Sequence, residues 1–172
     1  MNYARHFRTR SCTVRACLVG AGAFGRSLLA RTGRLPWLDL RIAVDRTAEA
    51  AAEGMARVGI PRAAIELCDS EAAARAAYTA GRFVAAGRLD CVLGLTFDIL
   101  VEASGQPEAG AVHALAAIES GRHVALVSKE TDSVVGPFLA AEAARRGLVC
   151  TPVDGDQPSL LIGLITWAET LG

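Results

Sequence analysis

Three glycines near the start of the chain have a spacing that suits phosphate binding. The run GAGAFG at positions 20–25 follows a predicted strand over 13–19 and opens a predicted helix over 24–32. In such a run the first glycine permits a tight turn, the second lets the backbone approach a pyrophosphate, and the third lets the helix pack on the strand. The helix N-terminus adds unpaired N–H groups. The motif predicts a dinucleotide site with Gly20, Gly22, Ala23, Phe24 and Gly25 as contacts.

An acidic residue and a basic residue follow the second predicted strand, which covers 40–44. Asp45 lies 25 positions after Gly20, close to the spacing of about 20 typical of a ribose-binding carboxylate. A carboxylate there accepts both ribose hydroxyls and repels a 2′-phosphate, which favours NAD. Arg46 could instead face a 2′-phosphate or stack on adenine, so NADP stays open. A second interpretation is that Asp45 only caps the helix predicted over 47–58.

Polar loops follow three more predicted strands, over 97–102, 123–127 and 148–151. Ligands of open α/β sheets bind beyond the carboxyl ends of the strands, so these loops are expected to face nicotinamide and substrate. The residues singled out are Ser104 and Gly105 on the cofactor side and Glu130, Asp156 and Gln157 on the substrate side. An alternative for Asp156 is a turn or helix-capping role. The three histidines, His113 among them, are interpreted as structural or solvent-facing.

Strands and alanine-rich helices alternate along the chain, which predicts an α/β fold with a doubly wound, mainly parallel Rossmann sheet and helices on both faces. Helices are predicted over 71–80 and 107–120, from Ser133 or Gly136 to 146, and over 158–171. Asp98 and Glu102 are expected at strand ends or on a wet edge. Residues 1–12 are expected to be a disordered lead-in, and 13–172 a single dinucleotide-binding domain.

Composition narrows the class of partner and the cell compartment. The 172 residues are 52% hydrophobic, and 18 basic residues balance 18 acidic ones. This neutral balance argues against nucleic acid or an anionic membrane as partner. Five scattered cysteines fit reduced thiols in the cytoplasm rather than disulfides or a metal site. Seventeen of the basic residues are arginine, so Lys129 is the only lysine.

Several of these runs resemble homoserine dehydrogenase-type NAD(P)-binding domains, closest to the branch with a C-terminal SAF domain and deoxyxylulose-phosphate-reductoisomerase-like members. The similarity covers about 14–172 and rests on GAGAFG, VEASGQPE at 101–108, ESGRHV at 119–124, KE at 129–130 and GDQP at 155–158. It implies hydride transfer between nicotinamide and a small polar alcohol or carbonyl compound. The family's lysine reaches toward nicotinamide and substrate, which implies a catalytic role for Lys129. Ser128 stands where the family has asparagine, which argues against homoserine.

Members of this family continue beyond the region matched by 167–172 into a substrate and dimerisation region. We therefore expect this chain alone to bind dinucleotide weakly or not at all and to turn over little, and to need a substrate domain on the same or a separate chain. The alternatives are a non-enzymatic dinucleotide-binding or redox-sensing module, and a binder of another phosphate-bearing ligand. An exposed apolar patch, left where a substrate domain would dock, would favour the hypothesis that this chain is one part of an oxidoreductase.

Overall fold

A seven-stranded parallel sheet forms the centre of the structure, a computed structural model that describes residues 12–153 and 159–171. The predicted lead-in over 1–12 lies outside these residues except for Cys12. The sheet order is β3-β4-β2-β1-β5-β6-β7. The strands are β1 (Val14–Val19), β2 (Leu38–Val44), β3 (Ile65–Cys68), β4 (Phe83–Ala86), β5 (Ile99–Glu102), β6 (His123–Leu126) and β7 (Cys150–Pro152).

Helices cover both faces of the sheet, so the predicted doubly wound α/β fold is confirmed. The helices are α1 (Ala23–Leu29), α2 (Ala48–Arg57), α3 (Glu71–Thr79), α4 (Asp90–Leu93), α5 (Pro107–Glu119), α6 (Lys129–Arg145) and α7 (Ser159–Leu171), with a 3₁₀ turn at Arg62–Ala64. One core contains buried residues of α3, α5 and α6, and the other contains buried residues of α1 and α2.

The alanine-rich composition has a packing consequence in the helices. Ala51, Ala52, Ala74, Ala114 and Ala117 are all buried against the sheet. A methyl side chain lets a helix axis approach the strands closely while still removing apolar surface from water. The apolar periodicity that predicts these helices is therefore largely an alanine periodicity.

The sheet changes direction of growth at β1, which lies between β2 and β5. The first half of the chain adds strands on the β2 side, and the second half adds β5, β6 and β7 on the other side. Loops leaving β1 and β5 diverge toward opposite faces, which leaves a crevice at the carboxyl ends of these strands. This crevice is the place that the fold offers to a ligand.

Several local elements differ from the sequence predictions. The helix predicted from Ser133 or Gly136 begins earlier, at Lys129, because the Ser128 hydroxyl caps it by accepting the N–H of Thr131 at 3.3 Å. The short edge strand β3 and the single-turn α4 were not predicted, because four residues carry too little periodicity. Strand β5 starts two residues later than expected, at Ile99, so Asp98 and Glu102 do lie at its ends.

The five thiols differ in burial. Cys17, Cys68 and Cys91 are buried, Cys150 is half-buried, Cys12 is exposed, and all are free. Burial raises the pKa of the Cys150 thiol to about 11, so it is not an activated nucleophile. In the described part of the chain, no helix is long and apolar enough to cross a membrane, and no three histidine, cysteine or acidic side chains group as metal ligands would.

Two arginine–aspartate pairs at the amino end of the sheet predict acid sensitivity. Arg15 donates to both oxygens of Asp98 at 2.7 and 3.1 Å, and Arg41 does the same to Asp39 at 2.7 and 2.8 Å. The guanidinium hydrogen bonds lower the pKa of both carboxyls. The two pairs contribute fully to the stability of the fold above the ordinary carboxyl pKa of about 4. This contribution is lost as the pH falls through the lowered pKa of the folded protein.

We therefore expect Asp39→Asn to lower the free energy of unfolding at neutral pH by on the order of 1 kcal/mol. The difference from wild type should shrink toward zero in strong acid, where Asp39 itself is protonated. Urea unfolding at several pH values measures this, with Glu119→Gln on the exposed end of α5 as control. A constant difference across the acid range would contradict the assignment.

Candidate functional site

The first glycine of the motif forms a turn wedged between neighbouring strand ends. Gly20 has φ +94°, and a Cβ at this position would lie 2.4 Å from the carbonyl oxygen of Ala103. The N–H of Gly20 donates to the carbonyl oxygen of Val44 at 2.8 Å. The N–H of Ala103 donates to the carbonyl oxygen of Val19 at 2.7 Å. The turn thus fastens β1 to the ends of β2 and β5. Both the backbone conformation and the close contact require glycine here.

The other two glycines of the motif face different surroundings. A Cβ on Gly25 would lie 2.0 Å from the carbonyl oxygen of Gly20, so its absence lets α1 start directly against the turn. A Cβ on Gly22 would meet no atom of the described chain within 4 Å. Packing therefore does not explain glycine at position 22. An open backbone surface at this point suits the close approach of a phosphate group.

Asp45 follows β2 and holds the glycine turn. Its Oδ2 accepts the N–H of Ala21 at 2.8 Å, and its Oδ1 accepts the N–H of Arg46 at 2.7 Å. The helix that follows is capped instead by Thr47, whose hydroxyl accepts the N–H of Ala50 at 3.1 Å. The alternative interpretation of Asp45 as the cap of this helix is therefore wrong. Each carboxylate oxygen keeps a second lone pair for another donor.

A cleft of about 930 Å³ lies beyond the carboxyl ends of β1, β2 and β5. Gly20, Gly22, Asp45, Arg46 and Ser104 line it, which brings these five predicted site residues together. The charged side chains along its walls are Arg26, Asp45, Arg46, Glu53, Arg57 and Arg88. Four guanidinium groups against two carboxylates make the cleft more basic than the neutral chain, which suits an anionic ligand.

The remaining predicted site residues lie beside the cleft or outside the described chain. Ala23, Phe24 and Gly25 form the start of α1, and Gly105 lies in the loop after β5 with φ +69°. Lys129 and Glu130 are the exposed first residues of α6, not loop residues, and they are not among those lining the cleft. Asp156 and Gln157 lie outside the described residues.

Sequence reasoning missed two residues at the β5 end of the cleft. Glu102 ends β5 with its side chain fully buried, and its Oε1 lies 3.4 Å from Nδ1 of His113 on α5. His113 lines the cleft, whereas the buried Glu102 is not among the residues that line it. One signal was available, because a glutamate closing an apolar run beside a polar loop marks a strand end near the crevice. The two residues are eleven positions apart, and no sequence motif links them.

Comparison with known proteins gives a fold assignment. No known family and no curated protein matches the sequence. Among solved structures, GenD2 from gentamicin A biosynthesis in complex with NAD is 22% identical with a TM-score of 0.58, covering 84% of this chain and 35% of GenD2. KijD10, a 3-ketoreductase from Actinomadura kijaniata in complex with NADP, is 16% identical with a TM-score of 0.59, covering 81% and 38%.

A homoserine dehydrogenase from Thiobacillus denitrificans is 22% identical with a TM-score of 0.57, and the match covers 81% of this chain and 29% of that enzyme. At these identities the likeness establishes the fold alone. The chain has the Rossmann-type α/β fold of the NAD-binding domains of dehydrogenases. It spans about a third of the length of these three proteins.

Proposed function

We propose that this chain is the dinucleotide-binding part of an NAD(P)-dependent oxidoreductase that moves hydride between nicotinamide and a small polar alcohol or carbonyl compound. The observation that carries the proposal is the open backbone surface at Gly22, beside a turn that Asp45 fastens at 2.8 Å. A pyrophosphate at that surface would meet the first N–H groups of α1, which have no intrahelical acceptor. GenD2 and KijD10, which share the fold, were crystallised with NAD and NADP respectively.

The cofactor proposed is NAD rather than NADP. The free lone pairs of Asp45 suit the two adenosine ribose hydroxyls, and its negative charge repels a 2′-phosphate. Arg46 and Arg88 line the same end of the cleft and provide the opposite attraction. Comparison of the two reduced cofactors therefore tests which charge decides the preference.

The substrate side of the proposal rests on residues near the ends of β5 and β6. Lys129 begins α6 directly beyond β6, and we assign it the role of orienting ribose or polarising a substrate oxygen. Ser104 and Gly105 are assigned to the cofactor. Glu130, Asp156 and Gln157 are assigned to the substrate, by resemblance to the homoserine dehydrogenase-type domains with a SAF region. We place the protein in the cytoplasm because its thiols are free.

A substrate-binding region is proposed to pack on α7. Leu164, Ile165, Trp167 and Leu171 of this helix are between 48% and 68% exposed. Large apolar side chains grouped on one exposed helix are typical of an interface. The similar dehydrogenases are roughly three times as long as the part matched here, which supports a further region as the occupant.

The cofactor site is tested by titrating the 172-residue chain with NADH and NADPH, followed by nicotinamide fluorescence. We expect NADH to bind, and Asp45→Ala to weaken it by about tenfold because the ribose contact and the fastening of the turn are lost together. Thr47→Ala, which removes only the cap of α2, should leave the affinity unchanged. Failure of both cofactors with folded protein would refute the function.

A further inference from the structure

Glu102 is a carboxyl group placed where burial is costly. It lies in the middle of the sheet, between β1 and β6, and its side chain is 0% exposed. Oε1 accepts the N–H of Ser104 at 3.2 Å, whereas Oε2 is buried without a hydrogen-bond partner among the described residues. A buried carboxylate oxygen without a hydrogen-bond partner destabilises the fold, because nothing replaces the water it has lost. Packing alone therefore does not account for Glu102.

The neighbours of Glu102 make room for it and connect it to the cleft. A Cβ on Gly110 would lie 3.0 Å from Oε2 and 2.6 Å from the hydroxyl of Thr131, so glycine leaves space for the carboxyl. His113, one turn further along α5, places Nδ1 3.4 Å from Oε1. We assign the proton of this contact to Nδ1, because a carboxylate only accepts hydrogen bonds. Nε2 is then the ring atom left for the cleft that His113 lines.

The position of His113 along the cleft identifies the part of a dinucleotide that it meets. Asp45 and Arg46 occupy the β2 end, and Ser104, Gln106 and His113 occupy the β5 end. This step rests on the proposed function. With the adenosine ribose at Asp45 and the pyrophosphate at the glycine turn, the nicotinamide comes to the β5 end. This ring is cationic in NAD+ and neutral in NADH.

The nearest polar neighbours of this pair on α6 are hydroxyl groups. The Glu102 carboxyl contacts α5 at His113 and Gly110, and the Thr131 hydroxyl of α6 adjoins it; that hydroxyl donates to Ser128 at 3.0 Å. Beyond them, Ser128 donates to Oε2 of Glu130 at 3.3 Å. The other charged side chains nearby, on the first turns of α5 and α6 and on the cleft walls, are Glu108, Lys129, Asp132, Arg26, Arg57 and Arg88.

We propose that Glu102 and His113 form a proton-carrying pair at the nicotinamide end of the cleft, which releases its proton when the cationic ring of NAD+ binds. Protonated His113 is balanced by Glu102, and a second cation beside it is repelled. Loss of the proton from the imidazole leaves the pair with one negative charge, which attracts the cationic ring. The affinity for NADH, whose nicotinamide ring is neutral, does not change when this proton is lost.

The same pair supplies the proton exchange of the proposed reaction. A bound NAD+ would supply the hydride acceptor for the C–H bond of an alcohol, whose O–H bond must also break for the C=O bond to form. The hydroxyl proton moves to Nε2 of the neutral His113, which restores the imidazolium beside Glu102. In carbonyl reduction the protonated imidazole of His113 returns this proton to the carbonyl oxygen, and the hydride goes to the carbonyl carbon.

The test measures the affinities of the 172-residue chain for NAD+ and for NADH at several pH values between about pH 5.5 and about pH 8. Neither ligand has the 2′-phosphate of NADP, which would titrate in the same range. We expect the ratio of NAD+ affinity to NADH affinity to rise about tenfold across this range, the equivalent of one pKa unit.

Matched variants assign the effect. His113→Gln keeps a donor for Glu102 but carries no exchangeable charge, so its ratio should be independent of pH. His123→Gln is the control, because His123 begins β6 at the amino end of the sheet and accepts the N–H of Val149 at 3.0 Å; the pH dependence should persist. Glu102→Gln should lower the ratio about tenfold at the upper end of the range.

The outcomes separate the two proposals. Binding of both ligands with a constant ratio in wild type, or a pH dependence that His113→Gln retains, overturns the proton-carrying pair and leaves the proposed function in place. Absence of binding by NAD+, NADH and NADPH to folded protein overturns the proposed function, and the pair falls with it.

Discussion

Gly22→Ala is expected to leave the chain folded and to weaken binding of NADH by about tenfold or more, equivalent to about 1.4 kcal/mol. Gly22 has φ −71°, which any residue adopts, and an added Cβ meets no atom of the described chain within 4 Å. The methyl group would instead occupy the surface assigned to the pyrophosphate. The free energy of unfolding should change by less than about 1 kcal/mol, the range of substitutions at a helix N-cap.

Gly25→Ala is the matched counterpart, three positions along the same motif. Its Cβ would lie 2.0 Å from the carbonyl oxygen of Gly20, and because that atom belongs to the backbone there is little room for adjustment. We expect a loss of roughly 3 kcal/mol or more in the free energy of unfolding, measured in urea. Weakened NADH binding without loss of stability in Gly22→Ala supports a phosphate site. Unchanged NADH binding in Gly22→Ala would show that the open surface at Gly22 is not a phosphate site, and the main support for the proposed function would be lost.

Phe97→Ala should be among the most destabilising single changes in the core, at about 3–5 kcal/mol. Phe97 precedes β5, is fully buried, and lies under the guanidinium of Arg122, whose central carbon is 4.9 Å from the ring centroid. Arg122 also donates to the carbonyl of Leu95 at 2.9 Å. Truncation of the ring leaves a cavity and removes the surface on which this arginine rests.

The control for this prediction is Phe138→Ala on α6, where the ring is 54% exposed. Its effect on the free energy of unfolding, measured in urea, should be within about 0.5 kcal/mol. Equal effects of the two substitutions would mean that burial of Phe97 contributes little. A smaller loss in Phe97→Leu than in Phe97→Ala would separate the cavity from the loss of aromatic contact.

The sequence predicted the fold well, because its strongest signals are local. The GAGAFG run and the strand before it lie within a dozen positions, and the alternation of apolar strands with alanine-rich helices needs no distant contact. The start of α6 was misplaced because Thr131 and Ser133 are weak helix formers, and the cap at Ser128 outweighs them. Phe97 was assigned to a strand, since hydrophobicity alone does not separate a buried loop residue from a strand residue.

The site was predictable only where it follows the chain. Asp45 was found from its distance to Gly20, but its bond to the N–H of Ala21 is a property of two strand ends meeting in space. The pairing of Glu102 with His113 depends on how α5 packs on β5, and no spacing rule encodes it. Contacts between elements are set by the tertiary fold, so sequence patterns alone leave them open.

The hydrogen bond between Asp45 and Ala21 has a consequence for attempts to change the cofactor. Conversion of a ribose-binding acid to a small neutral residue is the direct route toward acceptance of a 2′-phosphate. In this chain the same carboxylate also anchors the glycine turn, because Oδ2 accepts the N–H of Ala21 at 2.8 Å. With Asp45 as the proposed ribose ligand, cofactor choice and the order of the glycine turn are coupled through one side chain. A redesign that replaces Asp45 needs a second acceptor for that N–H, or it will exchange specificity for a loosened binding loop.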